Sequence, residues 1–196
     1  MSRFLITGFE PFTTGQGLTL THNPTSVWAR EIAERLEDAV HATLPVSFVD
    51  TKASLQKRFD QEKPAVWLGL GYAPHRERVD VEFVALNLEH SESGDNDGAQ
   101  PRFCPIIPDA PTALTTRFPV DEVVAQFQSE GVDAQVAFHA GTFLCNQTFY
   151  LGCYEVEVNR TISVAAFIHV PPSTNGDTFV RAVVTILNGI ADGLSL

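Results

Sequence analysis

The run Thr161-Ile162-Ser163-Val164-Ala165-Ala166-Phe167-Ile168-His169-Val170-Pro171 is apolar at nearly every position. A strand on a half-exposed sheet would alternate apolar and polar residues. A near-continuous run reads instead as a strand buried on both faces, and that requires helices on both sides of a mostly parallel sheet. The expected fold is therefore α/β, a three-layer sandwich with a mostly parallel, twisted sheet and helices on both faces. His169 stands at the far end of the run, and the carboxyl ends of strands in such sheets form the ligand crevice.

Working outward, Ala140-Gly141-Thr142-Phe143-Leu144-Cys145-Asn146-Gln147-Thr148-Phe149-Tyr150 begins as a small, flexible turn and continues with helical character. This places Cys145 in a first helical turn, where unpaired backbone N–H groups and the positive end of the helix dipole favour an anion. Such settings turn thiols into thiolates. A cysteine at a helix start and a histidine at a strand end are two halves of a cysteine nucleophile site. Each has a plainer reading. Cys145 shares a helical stripe with Phe149, Cys153 and Val156, and free cysteine is commonly buried; His169 could be a core histidine bonded to a carbonyl. Their joint placement favours chemistry, with His169 at one strand end and Cys145 reached by the turn after another.

The remaining elements fit the same architecture. Phe4-Leu5-Ile6-Thr7-Gly8 reads as a first buried strand, followed by Phe9-Glu10-Pro11-Phe12 and a polar loop from Thr13 to His22. Phe9 and Phe12 are candidates for a pocket wall, or for a cover over the core edge. Asn23 or Thr25 could cap a helix from Ser26 to Asp38 with Val27, Ile32 and Leu36 inward. Thr43–Val49 reads as a strand, Thr51–Asp60 as a helix and Pro64–Gly71 as a strand. Val79–Leu88 is expected to be one strand carrying Asp80 and Glu82 on the face of Val84, Leu86 and Leu88, with one carboxylate at a pocket rim. The long stretch 90–116, rich in Gly, Pro, Asp and Asn, suits a lid or hairpin over a site. Pro119–Glu130 reads as an amphipathic helix, Ala134–Phe138 as a strand, and Gly176–Asp192 as a last helix.

The 196 residues, 44% of them hydrophobic, suit one domain spanning 1–196 with a substantial core. No apolar run approaches the roughly 20 residues of a membrane span. A net charge of -11 argues against nucleic acid and anionic membrane as partners. Three cysteines, an odd number with irregular spacing, suggest reduced thiols rather than a disulfide framework. With no signal-peptide pattern at the start, a cytoplasmic location is expected. Asp95 and Asp97 match a calcium loop only loosely, and no His-x-x-x-His pair suggests zinc. A homo-oligomer is left open.

Several motifs in order carry a resemblance: Leu5-Ile6-Thr7-Gly8-Phe9-Glu10-Pro11-Phe12, Asn23-Pro24-Thr25, Asp95-Asn96-Asp97-Gly98 with Gln100-Pro101, Ala140 to Asn146 with Tyr150, and Phe167-Ile168-His169-Val170-Pro171. Together, over about 170 residues, the chain resembles the pyroglutamyl peptidase I family, also called pyrrolidone-carboxylate peptidases. The resemblance implies a Cys-His-Glu triad that removes an N-terminal pyroglutamyl residue from peptides, with no metal and no cofactor. Cys145 falls on the nucleophile, His169 on the base and Glu82 on the third member. Phe9, Phe12, Phe143 and Leu144 match positions lining the pocket for the lactam ring, and Tyr72 is assigned there too, where a glutamine is common. Two departures stand out. The family usually reads Pro-Glu-Arg around its acid, here Val81-Glu82-Phe83, and Glu92 aligns with an arginine proposed to assist the oxyanion hole in many bacterial members.

The function so implied is acyl transfer to Cys145, with N-terminally pyroglutamylated peptides as substrates. Two other functions remain open from the residues: an amidase or deacylase for another small acyl group, and a non-catalytic relative that keeps the pocket without turnover.

Overall fold

The computed structural model describes residues 3–13 and 19–193. Of the expected loop from Thr13 to His22, residues 14–18 lie outside this range. The chain order is β1 (Phe4–Phe9), α1 (Pro24–Arg35), β2 (Ala39–Leu44), α2 (Phe48–Glu62), β3 (Val66–Tyr72), β4 (Val79–Glu82), β5 (Val84–Leu86) and β6 (Ala113–Thr115). Then come α3 (Val120–Ser129), β7 (Ala134–Ala137), α4 (Leu144–Tyr154), a π-helical turn (Glu155–Asn159), β8 (Val164–Val170) and α5 (Gly176–Gly193).

Six strands form one sheet in the order β2-β1-β3-β8-β4-β7, mostly parallel, as expected. Side chains alternate across it. Ile6, Leu68, Val81, Ala166 and Ile168 pack into a core under residues of α1, α3 and α5. Leu5, Trp67, Ala165 and Phe167 face the other way, under residues of α2 and α4. Strands covered on both sides cannot alternate polar and apolar residues, and that is why β8 reads as a continuous apolar run.

The structure corrects several boundaries. The second strand and helix both begin earlier than expected. Pro45 follows the end of β2, and Ser47 caps α2 by accepting the Asp50 N–H at 3.3 Å. Asn23 caps α1, its side chain accepting the Thr25 N–H at 3.2 Å. The expected single strand Val79–Leu88 is broken at Phe83. The Phe83 N–H bonds to Ala137 O at 2.8 Å while its carbonyl accepts the Thr116 N–H at 3.0 Å. That residue thus hands the chain from the large sheet to a separate antiparallel pair, β5 with β6.

Strand direction differs from expectation as well. β7 pairs parallel with β4, but β4 pairs antiparallel with β8, so β7 runs opposite to β8. The carboxyl-end argument therefore holds for His169, which follows the direction of β3, and not for the strand that precedes Cys145. Among the described residues, no helix is long and apolar enough to cross a membrane.

Candidate active site

The turn leading to Cys145 is set by Gly141, whose φ of +79° suits a residue without a Cβ. Phe143 then precedes α4 as its N-cap residue, and among the described residues no side chain caps the helix there. An uncapped first turn keeps its N–H groups free to meet a developing anion. Cys145, half-buried, sits in that turn.

His169 comes from β8 and shares its face with Ala165 and Phe167, the face covered by α4. Gly71 of β3 lies beside it in register. A Cβ at Gly71 would stand 2.8 Å from His169 Cδ2 and 3.0 Å from Cys145 Sγ. The absence of that one carbon is what lets sulfur and imidazole share the space above the strand. His169 Nδ1 lies 2.7 Å from Glu82 Oε1, which leaves Nε2 for the sulfur side. Burial alone would push the His169 imidazole down, but the facing Cys145 sulfur and the Glu82 carboxylate outweigh it and push it up to about 9.

Glu82 is 0% exposed and His169 is 5% exposed. Asp80 is buried too, yet it lines a separate pocket with Arg76, Glu77, Arg78 and Gln135, the rim position expected for one of the pair, and neither carboxylate is among the described residues lining the cavity beside Cys145. Both carboxylates meet Arg76 instead, Glu82 Oε1 at 3.0 Å.

Beside Cys145 lies a cavity of about 210 Å³. Phe9, Phe12, Tyr72, Phe143 and Leu144, the residues assigned to the pocket in the sequence analysis, all line it. Sequence reasoning missed Val46, Pro74, His75 and Ser93 in the same wall. They come from three separate loops, and no periodicity marks a loop residue as facing a pocket. Among the described lining residues there is no carboxylate, lysine or arginine. Glu92 is exposed and is not among them.

The long stretch 90–116 is an arm built as a hairpin. Glu89 and Cys104 pair across it, beyond β5 and β6. Asp95 ties its tip: Oδ1 accepts the Asp97 and Ala99 N–H groups at 3.0 and 2.8 Å, and Oδ2 accepts the Phe48 N–H at 2.8 Å. The loosely calcium-like sequence is thus committed to backbone donors. Asn146, fully buried, fixes the arm to α4 by donating to Leu86 O and Leu88 O and accepting from Leu86 N. Thr142 Oγ1 donates to His90 O at 2.7 Å, a second tie next to the cysteine turn.

A family model for pyroglutamyl peptidase matches residues 2–178. The chain belongs to the pyroglutamyl peptidase family. It is 32% identical over 172 residues to the pyrrolidone-carboxylate peptidase of Pyrococcus furiosus, covering 86% of this chain and 80% of that one. It is also 32% identical over 177 residues to that of Clavibacter michiganensis, covering 89% and 80%. In three dimensions the family likeness is closer still. A mutant pyrrolidone carboxyl peptidase from Pyrococcus furiosus superposes with a TM-score of 0.89 at 28% identity, covering 97% of this chain and 99% of that one. Pyrrolidone carboxyl peptidase from Thermus thermophilus gives 0.84 at 31% identity, covering 94% and 98%.

Proposed function

We propose that the chain removes an N-terminal pyroglutamyl residue from peptides, as its family does, by acyl transfer through Cys145. The observation that carries the residue assignment is the convergence of Cys145 and His169 above Gly71, with Glu82 on the far nitrogen of the ring. The Cys145 thiolate attacks the pyroglutamyl carbonyl carbon, and the open first turn of α4 receives the oxyanion. Protonated His169 then gives its proton to the leaving amine, and a thioester remains. His169, now neutral, takes a proton from water, which attacks the thioester carbonyl and frees pyroglutamate. Glu82 holds the ring in one tautomer and favours the imidazolium form.

The cavity accounts for selectivity. A lactam N–H is neutral, whereas the amine of an ordinary peptide is charged and would find no described carboxylate in the wall. Desolvating an ammonium without a counter-ion is far more costly than desolvating an amide. Phe9, Phe12 and Phe143 offer apolar walls to the flat ring.

Hydrolysis of pyroglutamyl-naphthylamide, with and without iodoacetamide, tests this reading. The expected result is release of pyroglutamate that alkylation abolishes. Hydrolysis of other small acyl amides alone would make the chain an amidase or deacylase instead, and tight binding without turnover would make it a non-catalytic relative.

A further inference from the structure

The carboxylate of Glu82 is fully buried, yet its hydrogen bonds fall on one oxygen. Oε1 accepts from His169 Nδ1 at 2.7 Å and lies 3.0 Å from Arg76 Nη1, while Oε2 has no partner among the described residues. The group that is to orient His169 is therefore held by His169 itself and by Arg76. Phe83 gives no help, since it packs toward the opposite core. Among the described residues, no other cation pairs with Glu82.

Arg76 is itself well placed. The same Nη1 meets the Asp80 carboxylate, and Nη2 donates to His139 O at 3.3 Å, in the turn leading to the nucleophile. Gln135 Nε2 donates to the other Asp80 oxygen at 2.8 Å, fixing Asp80 from β7. Asp80 balances the guanidinium, which leaves the charge of Glu82 available to the imidazolium.

We propose that Arg76 is a positioning residue for the reaction: it anchors Glu82 through Oε1, and so fixes the His169 ring relative to Cys145. This rests on reading Cys145, His169 and Glu82 as the triad. Arg76 touches neither the cavity nor the sulfur, so its loss should act on turnover rather than on substrate binding. The groups facing Glu82 whose charges bear on this are Arg76 from the loop, Asp80 from β4 and His169 from β8, with Cys145 of α4 beyond the ring.

The test compares Arg76→Met, Arg76→Lys and the double variant Arg76→Met with Asp80→Asn, measuring kcat, KM, melting temperature and the pH profile of kcat. In Arg76→Met, kcat should fall about tenfold to a hundredfold with KM within about threefold, the scale of a small misplacement of catalytic groups. The acid limb of the kcat profile should move to higher pH, and Arg76→Lys should recover part of the loss. In the double variant the melting temperature should recover, because no carboxylate of Asp80 is left unpaired, while kcat stays low. If kcat recovers together with the melting temperature, Arg76 serves only to neutralise Asp80 and the inference is overturned. An unchanged kcat in Arg76→Met overturns it as well. Should Arg76→Met not fold, the Lys and double variants decide by the same criteria. The wild type and Cys145→Ala run alongside separate the two readings. Turnover lost in Cys145→Ala but kept in the Arg76 variants sinks this inference alone, whereas turnover kept in Cys145→Ala sinks the triad.

Discussion

Cys145 and Cys153 lie on one helix, two turns apart on one stripe, and they have opposite surroundings. Cys153 is 1% exposed among apolar side chains, and burial pushes its thiol well above the ordinary range. Cys145 stands at the uncapped start of the same helix, beside a cavity and against an imidazole. The difference teaches that neither residue type nor helical phase makes a thiol a nucleophile. In the proposed mechanism the helix end does so by what it meets: a cavity on one side, and on the other a strand whose glycine leaves room for a histidine ring.

The largest expected effect breaks the comparison in two. Cys145→Ala should lower kcat for pyroglutamyl-naphthylamide by at least about ten-thousandfold, because the covalent route is lost whole. Cys153→Ala should leave kcat within about twofold. Mass spectrometry after limited iodoacetamide treatment should find the label on Cys145 and on exposed Cys104, and not on Cys153. Retained turnover in Cys145→Ala, or label on Cys153 in folded protein, would remove the contrast.

A smaller effect should come from the strand beneath. In Gly71→Ala the new methyl would stand closer to His169 Cδ2 and Cys145 Sγ than carbons ordinarily approach. Displacing these groups should cost about a hundredfold in kcat, with less change in KM because, of Gly71, His169 and Cys145, only Cys145 is among the described residues lining the cavity. A Gly71→Ala enzyme with full turnover would mean that the site is looser than its geometry implies.

Much of this was legible in the chain. Apolar runs such as Val164–Val170 and Val66–Tyr72 announce burial on both faces, whereas Phe9 and Phe12 by pattern alone fit a core cover as well as a wall, and Phe143 is placed at the pocket only by the family resemblance. What stayed hidden has a common physical origin. Periodicity records which face of a strand is covered but not which way its neighbour runs, so the reversal of β7 left no trace. The break at Phe83 depends on two backbone hydrogen bonds to distant segments, Ala137 and Thr116. Arg76 sits in an irregular loop where no pattern assigns a direction to a side chain, although a carboxylate pair on the following strand hinted at a cation. Asn146, a polar residue inside an apolar helix, was the clearest missed signal, because a buried amide must find partners.

Titration sharpens the comparison further. His169 is raised from 6.5 to about 9 by Cys145 and Glu82 acting against burial. A group whose pKa is raised in the folded state adds stability that is fully present below its unfolded value, so the contribution is whole below about pH 6.5 and is lost as pH rises through about 9. In urea unfolding, the wild type should lose stability over that window. Turnover should fall over the upper part of it as the imidazolium that protonates the leaving amine disappears. In Cys145→Ala the sulfur no longer supports the imidazolium, so the His169 proton should leave at lower pH, visible in the imidazole NMR signals, and the alkaline loss of stability should shrink. Cys153→Ala should leave that titration unmoved.

The smallest effect belongs to Cys153 alone. Replacing it by alanine deletes a sulfur from a packed interior, with a typical cost of about 1 kcal/mol and a melting temperature lower by about 2–4 °C. Cys145→Ala should cost less packing, since its side chain borders the cavity, but it also gives up the ionic support of His169. The two losses therefore respond differently to pH. The Cys153 deficit should be constant from pH 6 to 8, because below the ordinary thiol range Cys153 is protonated both folded and unfolded, while the Cys145 deficit should fade as His169 deprotonates. Parallel deficits across that range would mean that the first turn of α4 holds its cysteine as its interior does, by packing and not by charge.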